Sequence, residues 1–94
     1  MTALSDDDIG RGLAGLPSWG LAGGQIVTDY RFEDFPQAVA FVVRVAFAAE
    51  AADHHPDLDV RYNHVRVALS THSAGGVTAK DLELAAAIEA MARR

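Results

Sequence analysis

The sequence predicts a small α+β domain: a four-stranded antiparallel sheet with helices packed on one face, in the order α-β-β-α-β-β-α. Three observations carry this. Two pairs of short alternating segments, each pair split by a tight turn, read as two hairpins. A long apolar helical stretch lies between the pairs, and a capped helix stands at each end. At 94 residues, half of them apolar, the chain has material for one core and one domain, residues 1–94.

The first helix starts at Ser5-Asp6-Asp7-Asp8, a capping serine followed by acids that suit the positive end of the helix dipole. It is expected to reach about Ala14, with Leu4, Ile9 and Leu13 inward, before Leu16-Pro17-Ser18 ends it. Trp19–Ala22 and Gln25–Phe32 make the first hairpin around Gly23-Gly24, with Ile26, Thr28, Tyr30 and Phe32 on one face. Asp34 caps the next helix and Pro36 sits in its first turn, where a missing N–H costs nothing. This helix runs to about Ala52, and only Arg44 is charged between Ala38 and Ala49. Phe35, Val39, Val42, Ala46 and Ala49 are expected to cover the sheet. Phe41, Val45 and Ala48 then need a second cover, most simply another subunit, with the other two helices as the alternative. Pro56 disfavours helical geometry at His55 and stops the helix before the His54-His55 pair. Leu58–Tyr62 and Val65–Ser70 form the second hairpin, with Asn63-His64 at its turn. After Gly75-Gly76, Thr78 and Asp81 resemble a capping box for a last helix to about Ala92, burying Leu82, Ala85, Ala86 and Ile88 or Leu84 and Met91.

Composition excludes several functions. The chain has no cysteine, hence no disulfide, thiolate metal site or cysteine nucleophile. Its net charge of −5 and scattered basic residues argue against nucleic acid as a partner. Three aspartates near Met1 are not a signal peptide, and Ala38–Ala49 is too short for a membrane span, so a cytoplasmic protein is expected. Phosphate-binding, dinucleotide and serine-elbow motifs are missing.

The chemistry is expected at two short segments, Glu50-Ala51-Ala52-Asp53-His54-His55-Pro56 and Ser70-Thr71-His72-Ser73. Histidine is the side chain suited to moving protons near neutral pH. Glu50, four residues before His54, can sit beside it on the last helical turn. Read alone, such histidines are more often helix caps or surface residues; His64, beside a turn, is taken that way. Three imidazoles also suit zinc, but adjacent histidines in a non-helical segment rarely converge on one ion, and no metal is expected.

The spacing Glu50-x-x-x-His54-His55-Pro56, five residues, Tyr62, nine residues, His72, eight residues, Asp81 resembles the signature of the pterin-4a-carbinolamine dehydratase family. Tyr30-Arg31-Phe32-Glu33-Asp34-Phe35 and Leu69-Ser70-Thr71-His72 with Gly76-Val77-Thr78 extend the resemblance from about Trp19 to the end. It implies dehydration of a 4a-hydroxytetrahydropterin to the quinonoid dihydropterin, with the pterin as substrate and no cofactor. It further implies His54 and His72 as the acid–base pair, His55 orienting the pterin and Glu50 supporting the histidines. Asp53, Ser70, Thr71 and Ser73 would line the pterin site with them. Asp81 is assigned a capping role only, and Tyr62 a packing one. Leu58 stands where many members have an aromatic residue that walls the pocket. The resemblance also implies a homodimer or homotetramer joined through the 35–52 helix. The alternative is a non-catalytic interaction protein, a transcription-factor dimerisation cofactor or an assembly factor. Retention of all three histidines favours the enzyme.

Overall fold

In the computed structural model, which describes residues 2–93, the elements follow the expected order. They are α1 (Asp6–Leu13), β1 (Gly20–Ala22), β2 (Gln25–Arg31), α2 (Phe35–Ala52), β3 (Asp57–Arg61), β4 (His64–Leu69), a one-turn 3-10 helix (His72–Ala74) and α3 (Ala79–Ala92). The four strands form one antiparallel sheet in the order β1-β2-β4-β3. Gly23 and Gly24 both take positive φ (60° and 77°), the turn geometry that matches strand twist in a two-residue hairpin.

Register divides the sheet into two unlike faces. Ile26, Thr28, Val65, Val67 and Leu69 are buried on the inner face, joined by partly buried Tyr30, Leu58 and Val60. Asp29, Arg66 and Asp59 lie side by side on the outer face, one per strand. Helices cover the inner face only. Phe41, wholly buried on α2, meets Tyr30 edge-on at 5.3 Å and Phe32 at 4.9 Å between ring centroids. Gly12 lets α1 lie against α3, since a Cβ there would stand 2.5 Å from Leu82 Cδ1.

The face of α2 that meets the sheet differs from the expectation. Ala38, Phe41, Val45 and Ala49 are buried, whereas Phe35, Val39, Val43 and Phe47 are exposed, Phe47 at 76%. A helix with one charged residue in twelve has almost no amphipathic signal, so pattern alone could not set its rotation. An uncovered apolar stripe exists as expected, but it is the 35/39/43/47 side. At 18 residues, with mean hydropathy 1.4, α2 also meets the length and composition of a membrane span, contrary to the sequence reading. One side of it packs against the sheet, and 22% of the span is buried. Two smaller differences concern Ala86, which is exposed, and Tyr62, a turn residue at φ 51° that is 67% exposed and packs little.

Inside the fold, Glu89 of α3 is clamped by four donors. Its Oε1 accepts from Ser18 Oγ (2.8 Å), Trp19 Nε1 (3.2 Å) and Tyr30 Oη (2.5 Å), and its Oε2 from Arg93 Nε (2.8 Å). Burial acts to raise the Glu89 carboxyl, but the Tyr30, Ser18, Arg93 and Trp19 hydrogen bonds outweigh it and hold the group below its ordinary 4.5. Burial, then the neighbouring Glu89, pushes the Tyr30 phenol well above its ordinary 10.0. A depressed carboxylate stabilises the fold above its unfolded value, and that stabilisation is lost as pH falls through the folded value. The raised phenol contributes below its ordinary value and loses its contribution as pH rises through the folded one. Glu89→Gln is therefore expected to cost roughly 2 kcal/mol in denaturant unfolding at pH 7, with the gap from wild type shrinking below about pH 4. A gap independent of pH would sink this account.

Candidate active site

The end of α2 sets the first half of the site. Asp53 takes the left-handed conformation (φ 50°), donating its N–H to Glu50, while the N–H of His54 reaches back to the carbonyl of Ala49. This six-to-one closure usually employs glycine; aspartate is one of the few other residues that tolerates it. The helix thus stops by its own cap one residue before His54, with Pro56 reinforcing the exit.

The second half follows β4. Thr71 pairs with Gly76 across a tight loop, and within it His72 begins the single 3-10 turn, leaving its side chain exposed. The two halves face one another across a cleft of about 320 Å³. Asp53, His54 and His55 line one side, Ser70, Thr71, His72 and Ser73 the other, with Lys80 of α3 completing the wall. Seven of the eight residues singled out from sequence are thereby brought together. Glu50 is the exception: it does not line the cleft, and it meets His55 Nε2 at 2.9 Å rather than His54. Both partners are well exposed, so this contact orients His55 only loosely. Leu58 packs on the core face and is not part of the cleft wall. His64 begins β4, away from the cleft.

Asp81 is the residue sequence reasoning undervalued. Its side chain is wholly buried and does close the capping box, Oδ2 accepting from the Thr78 N–H at 2.8 Å. The same oxygen accepts from Thr71 Oγ1 at 2.8 Å, and Oδ1 meets His54 Nε2 at 2.5 Å. The Thr78 hydroxyl, which accepts from the Lys80 N–H, stands 2.8 Å from Thr71 Oγ1 and can donate to it. An ionised carboxylate has no hydrogen to give, so with Asp81 as the anion Oδ1 can only accept and His54 carries its proton on Nε2. That leaves His54 Nδ1 as the ring's free lone pair, on an imidazole only 11% exposed. Thr71 borders the cleft but its hydroxyl is committed to Asp81. The available signal was the double duty of an acid at the third helical position: a cap can also be an anchor. Among the described residues, no group of three His, Asp or Glu side chains is placed to hold a metal ion.

The sequence model described as Pterin 4 alpha carbinolamine dehydratase matches residues 2–91. The chain belongs to the pterin-4-alpha-carbinolamine dehydratase family. A Chloroflexus aurantiacus protein provisionally named for that activity is 56% identical over 89 residues, which cover 95% of this chain and 96% of the relative. A similarly named Nocardia farcinica protein is 50% identical over 90 residues, covering 96% and 95%. A Brucella melitensis crystal structure, described as a transcriptional coactivator/pterin dehydratase, superposes with a TM-score of 0.93 at 34% identity, covering 97% of this chain and 99% of the other. A pterin dehydratase-like protein described as a RuBisCO assembly factor in the alpha-carboxysome has a TM-score of 0.67 at 22% identity, covering 80% and 89%; it shares the fold. The family resemblance read from the histidine spacing therefore holds.

If Asp81 anchors His54, Asp81→Asn should cost roughly 2–3 kcal/mol, since a carboxamide cannot accept from all three donors. Nitrogen NMR should show His54 with Nε2–H in wild type and lose that preference in the variant. A wild-type ring protonated on Nδ1 instead would overturn the anchoring.

Proposed function

We propose that this chain removes water from a 4a-hydroxytetrahydropterin, giving the quinonoid dihydropterin. The observation that carries it is the single cleft shared by His54, held by buried Asp81, and the exposed His72. Loss of water needs a base for the N5 proton and an acid for the 4a oxygen. His54 suits the base: Nδ1 is free, and the carboxylate behind Nε2 stabilises the imidazolium that forms. His72, as imidazolium, gives its proton to the oxygen. The C4a–O bond breaks with its electron pair on oxygen, water leaves, and the N5–H electrons close the N5=C4a bond. One proton is taken and one given, so charge balances over the turnover. His72 lies open to solvent, through which the pair regains its starting protonation. His55 and the Asp53, Ser70 and Ser73 side chains are further polar groups for holding the pterin, which in this reading is the substrate, with proton transfer done by side chains alone.

The relatives support a dehydratase through their names. The test is dehydration of freshly generated 4a-hydroxytetrahydropterin. Wild type should accelerate it, and His54→Ala or His72→Ala should each lower the rate by roughly 10²-fold. A folded wild type no faster than buffer ends the enzyme reading and leaves the interaction protein, whose support is the exposed apolar stripe on α2 and the coactivator description of the Brucella relative.

The same stripe is the proposed seat of a homodimer or homotetramer. Val43 and Phe47 are 49% and 76% exposed, an apolar surface that a monomer rarely leaves open. Val43→Glu with Phe47→Glu should lower the sedimentation mass while leaving the far-ultraviolet circular dichroism unchanged. An unaltered mass would send the interface elsewhere.

A further inference from the structure

Lys80 is the only lysine in the chain, and it stands in the wall of the histidine cleft. Its position runs against local preference. As the second residue of α3 it places a cation at the positive end of a 14-residue helix, where an acid would be stabilising. Among the described residues its ammonium makes no ion pair, a state it shares with Arg31 and Arg44, neither of which lines the cleft, whereas Arg11, Arg61, Arg66 and Arg93 each have a carboxylate partner. A side chain that breaks a local rule without structural return is where function is expected. Three of the four histidines share the cleft, and Asp53 is the one carboxylate in its lining; Asp81 lies buried behind His54, and Glu50 meets His55 from outside the lining.

Lys80 also borders a second cavity. An apolar groove of about 490 Å³ runs between the end of α2 and the start of α3, its walls largely alanine, and it shares His54 and Lys80 with the cleft. Pterin chemistry gives this junction a meaning. C6 is bonded to N5, so whatever hangs from C6 leaves the ring beside the atom whose proton is taken. A pterin with N5 at His54 would send its C6 arm out near the junction that His54 and Lys80 form. Glu83 lines the groove beyond, which disfavours a negative charge deep inside it.

The geometry points to Lys80 as a specificity-determining residue that holds an anionic group, phosphate or carboxylate, on the C6 arm of the pterin. This rests on the dehydratase reading and adds the substrate class to it. Three 4a-hydroxytetrahydropterins with one ring and different arms decide it: a neutral hydroxylated arm, one ending in phosphate and one ending in carboxylate. Wild type should show a KM about 10-fold lower for at least one charged arm than for the neutral arm, an advantage that fades with added salt; whichever arm is favoured identifies the anion. Lys80→Met should abolish the advantage by raising KM at nearly constant kcat, and Lys80→Arg should restore most of it. Equal KM for all three arms in wild type, or equal effects of Lys80→Met on neutral and charged arms, overturns the inference. If no arm is turned over, the dehydratase reading has failed. Calorimetry with stable dihydropterins bearing the same arms then tests Lys80 directly: a charged-arm preference lost in Lys80→Met sustains the role, and its absence overturns it.

Discussion

A carboxylate with no exposure to water is tolerated only when its oxygens are fully engaged, and Asp81 meets that condition with groups from three separate places in the chain. Thr78 belongs to the start of α3, Thr71 to the loop after β4, and His54 to the exit from α2. Each of these could sit well by itself; the shared anion makes their positions mutually dependent. Removing one donor leaves a charge without a partner in the interior, which costs more than any single hydrogen bond contributes. Cap, loop and candidate base are therefore one unit. The histidine ring gains what a proton-transfer group needs, a fixed orientation and a fixed tautomer, from an interaction that the fold would want for α3 alone.

Glu89, two turns further along α3, does the corresponding work at the other end of the sheet. Its donors come from the loop before β1, from Trp19 and from Tyr30 on β2, and Tyr30 in turn stacks edge-on against Phe41 of α2. Through two inward-facing acids, α3 ties together the loop before β1, β2, the exit from α2 and the loop after β4. This also explains why the pattern of α3 is hard to read. Asp81 and Glu89 occupy buried positions that hydropathy assigns to leucine, while Ala86 and Ala87 lie outside. Burial of those acids is compensated by partners far away in sequence, and periodicity holds no record of such partners.

What sequence disclosed best was local. Caps at Ser5, Asp34 and Thr78, the Gly23-Gly24 turn and the alternation of Val65, Val67 and Leu69 each depend on neighbours a few residues away, and each placed its element correctly. Seven of the eight site residues also converge, because two short segments at strand and helix ends needed only the hairpin topology to meet. The losses were all questions of rotation or of long-range partnership. The α2 helix offered no polar back to fix its phase. Glu50 could reach either histidine until the left-handed turn at Asp53 swung His55 toward it. Lys80 carried no motif, and only its place in the cleft wall distinguishes it from a surface lysine.

The exposed apolar stripe and the histidine cleft occupy different parts of α2. The apolar stripe runs along the outer side of the helix from Phe35 to Phe47, whereas the cleft begins only where the helix ends, at Asp53. None of the four stripe residues lines the cleft. A partner seated on the stripe would bury large side chains that the core does not use, without displacing His54, which Asp81 holds from behind. The proposed dehydration and the proposed association would therefore impose separate demands on separate residues. A chain can keep its stripe whatever becomes of exposed His72, whereas losing His54 leaves buried Asp81 short of a donor and is felt in the loop and cap that share it.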